Sequence, residues 1–213
     1  MTVLRFRKLI EDIKELAGAD RLAGVLIRGT SGSFAVKVAG AGLAFGAQVV
    51  LARILGSEDY GDYTFVWTTA LLLATLCTLG FKNVMTRYIS SFRAEEKLKE
   101  LHGLLRSSTR LVLLASVVVA AVGGGAAWLV YASEGTDLAV VFLAGSFLLP
   151  LIALTIVRQG GLRGLKRVVR AQIPFKILRP VLITVFVAAV FLATGRVSAL
   201  EAMVLTVAAF VVI

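Results

Sequence analysis

Five polar residues stand inside or at the ends of otherwise apolar runs: Lys37, Gln48, Lys82, Asn83 and Arg87. Their ammonium, guanidinium and amide groups donate hydrogen bonds, so they can hold a ligand but cannot by themselves break its bonds. Polar groups at such depths face a bundle interior or a water-filled cavity, because lipid offers them no partner. No catalytic set accompanies them. His102, the sole histidine, lies in a charged segment beside Glu100 and Arg106, and the single cysteine, Cys77, excludes an intrachain disulfide. Glycines 123–125 fall in the middle of an apolar run rather than after a strand, which suits helix packing and not a phosphate loop. The chain is therefore expected to bind rather than catalyse, without metal or cofactor.

The elements that position these groups are read from the apolar runs. Of the 213 residues, 58% are apolar and only 17% charged, a composition foreign to soluble domains. A hydrocarbon core about 30 Å thick needs roughly 20 helical residues to cross it. Charge-free gaps of that length predict an all-α bundle of about six spans, near 34–52, 62–81, 111–132, 138–157, 180–194 and 198–213. Residues 1–28 read as a separate amphipathic helix, with Phe6, Leu9, Ile10, Ile13, Leu16 and Ala17 at helical spacing, and 29–213 as the bundle. The last span is still apolar at Ile213, so the chain is expected to be truncated at its C-terminus.

Of the 23 basic residues, only Arg53 and Arg196 fall on one side of this arrangement. The rest, including Lys176 and Arg179, fall before the first span or between spans two and three and four and five. That asymmetry predicts a cytoplasmic N-terminus. It also explains the net charge of +10 without nucleic acid. Pro150, inside the fourth span, is a hinge candidate because it removes a backbone hydrogen bond. Ser198-Ala199-Leu200-Glu201 has the spacing of a capping box, a structural task for Glu201. In ARILGSEDYGDY, residues 52 to 63, Gly56 can end one helix and Ser57 cap the next. Glu58 and Asp59 suit the first turn, Arg53 can pair with either, and Tyr60 and Tyr63 suit an interface.

The pattern AR-x-L-G-x-x-x-Y-G-x-Y, carried by Ala52, Arg53, Leu55, Gly56, Tyr60, Gly61 and Tyr63, resembles the first-hairpin signature of polysaccharide biosynthesis membrane proteins. These are the oligosaccharide flippases of the multidrug/oligosaccharidyl-lipid/polysaccharide exporter superfamily. GFKNVMTRYIS at 80–90 and LRGLKRVVRAQIPFKILRPVL at 162–182 resemble two further segments of that family. The resemblance implies one lobe of a transporter of 12 or 14 helices in the cytoplasmic membrane. It implies as substrate an oligosaccharide on a polyprenyl diphosphate. Its partners would be membrane lipids, a C-terminal lobe or second copy, and glycan polymerase or ligase machinery. Lys37, Lys82 and Arg87 would then attract the diphosphate, Gln48 and Asn83 would face the sugar, and Arg53, Gly56, Tyr60, Gly61 and Tyr63 would be structural. A small-molecule exporter of the same superfamily and a non-transporting scaffold for polysaccharide synthesis are the alternative readings.

Overall fold

Backbone polar groups in hydrocarbon must be paired within the segment that carries them, which leaves helices as the solution for apolar runs of this length. The computed structural model describes residues 34–78, 80–95, 98–131, 137–164 and 168–213, except the side chains at 82, 90, 93, 94, 98, 102, 168 and 170. The amphipathic helix expected at 1–28 lies outside the described residues. Among the described residues the fold is all-α. Four stretches are long and apolar enough to cross a membrane, Phe34–Cys77, Lys99–Tyr131, Leu138–Gly164 and Ala171–Thr194, with the shorter apolar helix Ala199–Val212 beside them.

The first of these is folded back on itself. Helix α1 (Thr2–Cys77) is interrupted at Gly56, where φ is 81° and ψ −178°, a conformation open to glycine and strained for other residues. In a straight helix, residues twelve apart are separated by about 18 Å. Yet the Tyr60 hydroxyl lies 2.6 Å from Gln48 Oε1. The chain therefore folds back at Gly56, and 34–55 and 57–77 are two arms of a hairpin.

Helix α1 ends at Cys77, short of the expected residue 81, and Gly80 (φ 74°) turns the chain into α2 (Phe81–Ala94). The polar stretch before the third span is helical too, since α3 runs over Leu98–Tyr131. The fourth span is split into α4 (Leu138–Ser146) and α5 (Leu148–Gly164). The break at Phe147 lies just ahead of Pro150, which has no N–H to offer Ser146. Helix α6 (Val168–Ile173) leads through a π-helical turn (Pro174–Leu178) into α7 (Arg179–Thr194), so the fifth span begins at Ala171, ahead of the Pro180 expected. Gly195 (φ 75°) ends α7, and α8 is Ala199–Val212.

Two apolar clusters hold these elements. The larger joins Leu51, Val66, Trp67 and Ala70 of α1 to Leu148 and Ile152 of α5, Val187 of α7 and Met203 and Phe210 of α8. The smaller joins Met85 and Ile89 of α2 to Val112 of α3 and Val157 of α5. Large apolar side chains also cover the outside, among them Leu72, Leu129 and Leu192, as expected where the solvent is lipid.

The start of α8 is closed by the capping box: Glu201 N donates to Ser198 Oγ, and Ser198 N donates to the Glu201 carboxylate. Asp59, in the first turn after the break at Gly56, also reaches beyond its own helix. Its carboxylate accepts from Ala199 N at 2.9 Å, bridging the hairpin to α8. Losing either acceptor leaves helix N–H groups unsatisfied. Ser198→Ala and Asp59→Ala are each expected to cost about 1 kcal/mol, read as a lower unfolding midpoint in detergent, with equal midpoints contradicting the assignment.

Candidate functional site

The π-helical turn is the local feature that sets the site. Arg179 N donates to Pro174 O, five residues back, and the extra residue per turn displaces the side chains that follow. Gly40, on the first arm of α1, abuts the same turn. A Cβ on Gly40 would stand 2.9 Å from both Cβ and the carbonyl oxygen of Lys176. Only a bare backbone lets the arm approach this closely.

This geometry sends the Arg179 side chain into the bundle. Its guanidinium carbon lies 3.6 Å from the centroid of the Trp67 ring, 5.3 Å from Phe175 and 5.6 Å from Phe210. Trp67 in turn stacks on Phe210 at 5.9 Å, and Phe175 meets Phe210 edge-on at 6.1 Å. Aromatic faces are negative at their centres, so they offer a desolvated cation about 2 kcal/mol of attraction.

The depth of the group follows from its neighbours. At 1.5 Å per residue, Trp67 is about 17 Å along its arm from Gly56, Phe210 about 18 Å from Ser198, and Arg179 itself about 22 Å from Thr194. Arg179 therefore lies well inside the apolar stretch Ala171–Thr194, which is long enough to cross a core about 30 Å thick. A charge at that depth is costly and, where kept, marks a functional site.

Its polar partners are few. The Tyr63 hydroxyl is in polar contact with the guanidinium and lies 3.1 Å from Thr206 Oγ1. Because Thr206 Oγ1 gives its own proton to Ala202 O at 2.8 Å, Tyr63 must be the donor between them. The Tyr63 oxygen is thus left free to accept from Arg179. The arginine as a whole is partly exposed, but its Nε is enclosed and has no hydrogen-bond partner.

Beside Arg179 lies a cavity of about 150 Å³ between the first arm of α1 and the start of α7. Gly40, Ala41, Ala44 and Ala47 form one wall, and Phe175, Pro180 and Ile183 the other. Its polar lining is Gln48, Tyr63, Lys176 and Arg179, with no carboxylate among the lining residues. Two cations and an amide without a counter-charge make a receptor for an anion, with the Tyr63 hydroxyl held on Thr206 and Arg179.

Of the residues singled out in the sequence, Gln48 lines this cavity. Lys37 is exposed on the first arm, one turn before Gly40. Asn83 and Arg87 are exposed on α2, which packs on α5 and away from the cavity, and the Lys82 side chain lies outside the described residues. Tyr63 is 2% exposed in the core, not at an interface, and Tyr60 is partly buried against Gln48. Sequence reasoning missed Arg179 and Lys176, both counted there as loop cations. The signal was present in their surroundings: IPFKILRPVLITV is an apolar run that continues through both charges.

A family model described as "Polysaccharide biosynthesis protein" matches residues 26–213, a range that contains the hairpin, the cavity and Arg179. No curated protein and no solved structure matches the chain.

Proposed function

The chain belongs to the polysaccharide biosynthesis protein family, and from that premise we propose that it helps flip a polyprenyl-diphosphate-linked oligosaccharide across the cytoplasmic membrane, with Arg179 receiving the diphosphate. The substrate would be an O-antigen, capsule or exopolysaccharide repeat unit. The observation that carries the reading is an arginine inside an apolar stretch long enough to cross a membrane, its Nε unpartnered, beside a cavity with no carboxylate among its lining residues.

The physical obstacle in flipping is dehydration of a charged, hydroxyl-rich head group in hydrocarbon. A cationic cavity lowers that cost by exchanging water for fixed donors, while the lipid tail stays in the bilayer. Arg179 can offer a phosphate two parallel N–H bonds, and Lys176 adds a mobile point charge at the same opening. Gln48 supplies an amide donor for a neighbouring oxygen. The aromatic box holds the guanidinium in place between substrates, so little side-chain entropy is lost when the anion arrives. The proposed orientation keeps the N-terminus cytoplasmic, following the basic asymmetry of the loops. The remaining lobe of the cavity would come from a C-terminal lobe or a second copy. No step of this scheme makes the chain an enzyme.

The test is the pool of polyprenyl-linked glycan on the cytoplasmic face of cells that carry the wild-type gene, a deletion or Arg179→Gln. Accumulation in the deletion, and in Arg179→Gln at normal membrane abundance, is the expected result. An unchanged pool in the deletion, in a strain without a second copy of the function, refutes flipping.

A further inference from the structure

The first-hairpin motif places two tyrosines three residues apart, and only Tyr63 touches Arg179. Tyr60 points elsewhere: its hydroxyl donates to Gln48 Oε1 at 2.6 Å, across the bend at Gly56. An unrestrained glutamine presents oxygen and nitrogen to a ligand almost interchangeably, as an acceptor or as a donor. Here the oxygen is turned toward Tyr60, which does not line the cavity, whereas Gln48 does.

From this juxtaposition we infer that Tyr60 is a positioning residue that fixes the polarity of Gln48, so that the cavity offers donors to its ligand and rejects cationic head groups. The inference rests on the anion-binding reading of the Arg179 site and extends it to selectivity. The difficulty it answers is specific to a membrane. The cavity is surrounded by bilayer lipids, many of whose head groups carry an ammonium beside their phosphate. Positive charge on Arg179 and Lys176 repels such a group, but a carbonyl oxygen turned inward would welcome it. Holding that oxygen on Tyr60 removes the attraction and adds one N–H to the set that meets an oxyanion. It also gives a task to a motif residue that a tight turn alone does not require.

The experiment uses the full chain in lipid nanodiscs with Trp128→Phe, so that Trp67, the ring beneath Arg179, reports binding by its fluorescence. Inorganic diphosphate and tetramethylammonium are titrated as head-group probes, and the ratio of their affinities is the readout. Tyr60→Phe keeps the ring and its packing but frees the amide. It is expected to weaken diphosphate binding roughly threefold to tenfold and to strengthen tetramethylammonium binding. Gln48→Glu still accepts from Tyr60 but turns an acceptor inward, and it should shift the ratio further in the same direction. An unchanged ratio in Tyr60→Phe, with the variant folded to wild-type thermal stability, overturns the assignment. The two levels separate cleanly. If Arg179→Gln abolishes diphosphate binding and Tyr60→Phe leaves the ratio alone, only the role of Tyr60 falls; if Arg179→Gln binds diphosphate as wild type does, the anion site and the inference fall together.

Discussion

Replacing Arg179 by methionine is expected to raise the stability of the protein while weakening its hold on a lipid-linked diphosphate roughly 10- to 100-fold. The two effects have one origin. A cation inside an apolar stretch without a carboxylate partner carries a desolvation penalty that the rings of Trp67, Phe175 and Phe210 offset only in part. An apolar side chain of similar length removes the penalty and the unpartnered Nε together, and even buried ion pairs, whose charges are compensated, give gains of about 1 to 4 kcal/mol when replaced by apolar side chains. Arg179→Lys should fall between the two. It keeps the charge but loses the planar fork and much of the stacking on Trp67. Thermal unfolding in detergent reads the first effect and diphosphate titration the second. A methionine variant that is both less stable and unimpaired in binding would mean that Arg179 serves the fold.

The second large effect is expected at Trp67, 6% exposed and in contact with both Arg179 and Phe210. Trp67→Ala empties a volume at the meeting point of α1, α7 and α8, and a loss of about 3 to 5 kcal/mol is expected. Part of that loss belongs to the cation. Measured in the Arg179→Met background, the same truncation should cost about 1 to 2 kcal/mol less, the difference being the coupling between ring and guanidinium. Equal costs in the two backgrounds would show that the ring supports the core and not the arginine.

How much of this was legible in the sequence depends on what cut the apolar runs. The bend at Gly56 and the capping box at Ser198 were readable because a glycine and an S-x-x-E spacing act locally, within a turn of the residues that form them. Gln48 was readable as a cavity residue because an amide does not interrupt a hydrophobic run. Arg179 was not, because a charge cuts the apolar run that contains it. When spans are defined as gaps between charges, a charged residue is by definition outside a span, so Arg179 and Lys176 are assigned to a loop. The partners of Arg179, Trp67, Phe175 and Phe210, are dispersed over more than 140 positions, and no spacing rule links them. The polar first turns of α3 and most of α2 fell between the expected spans for the same reason, since helices that continue beyond the hydrocarbon carry no apolar signal there. Asp59 shows the limit of local rules: its place in the first turn of its own helix was readable, and its bond to Ala199, 140 residues on, was not.

The central claim is that water and an anion reach the side chain of Arg179 inside the apolar stretch Ala171–Thr194. Ala44 lines that cavity and takes no part in binding, and Cys77 is the only native cysteine. In a Cys77→Ser background, Ala44→Cys can therefore be treated with a membrane-impermeant thiol reagent, with and without farnesyl diphosphate. The account predicts that the thiol reacts, that farnesyl diphosphate protects it, and that Arg179→Gln removes the protection. A thiol that never reacts, or that reacts at the same rate whether or not the diphosphate is present, would contradict it.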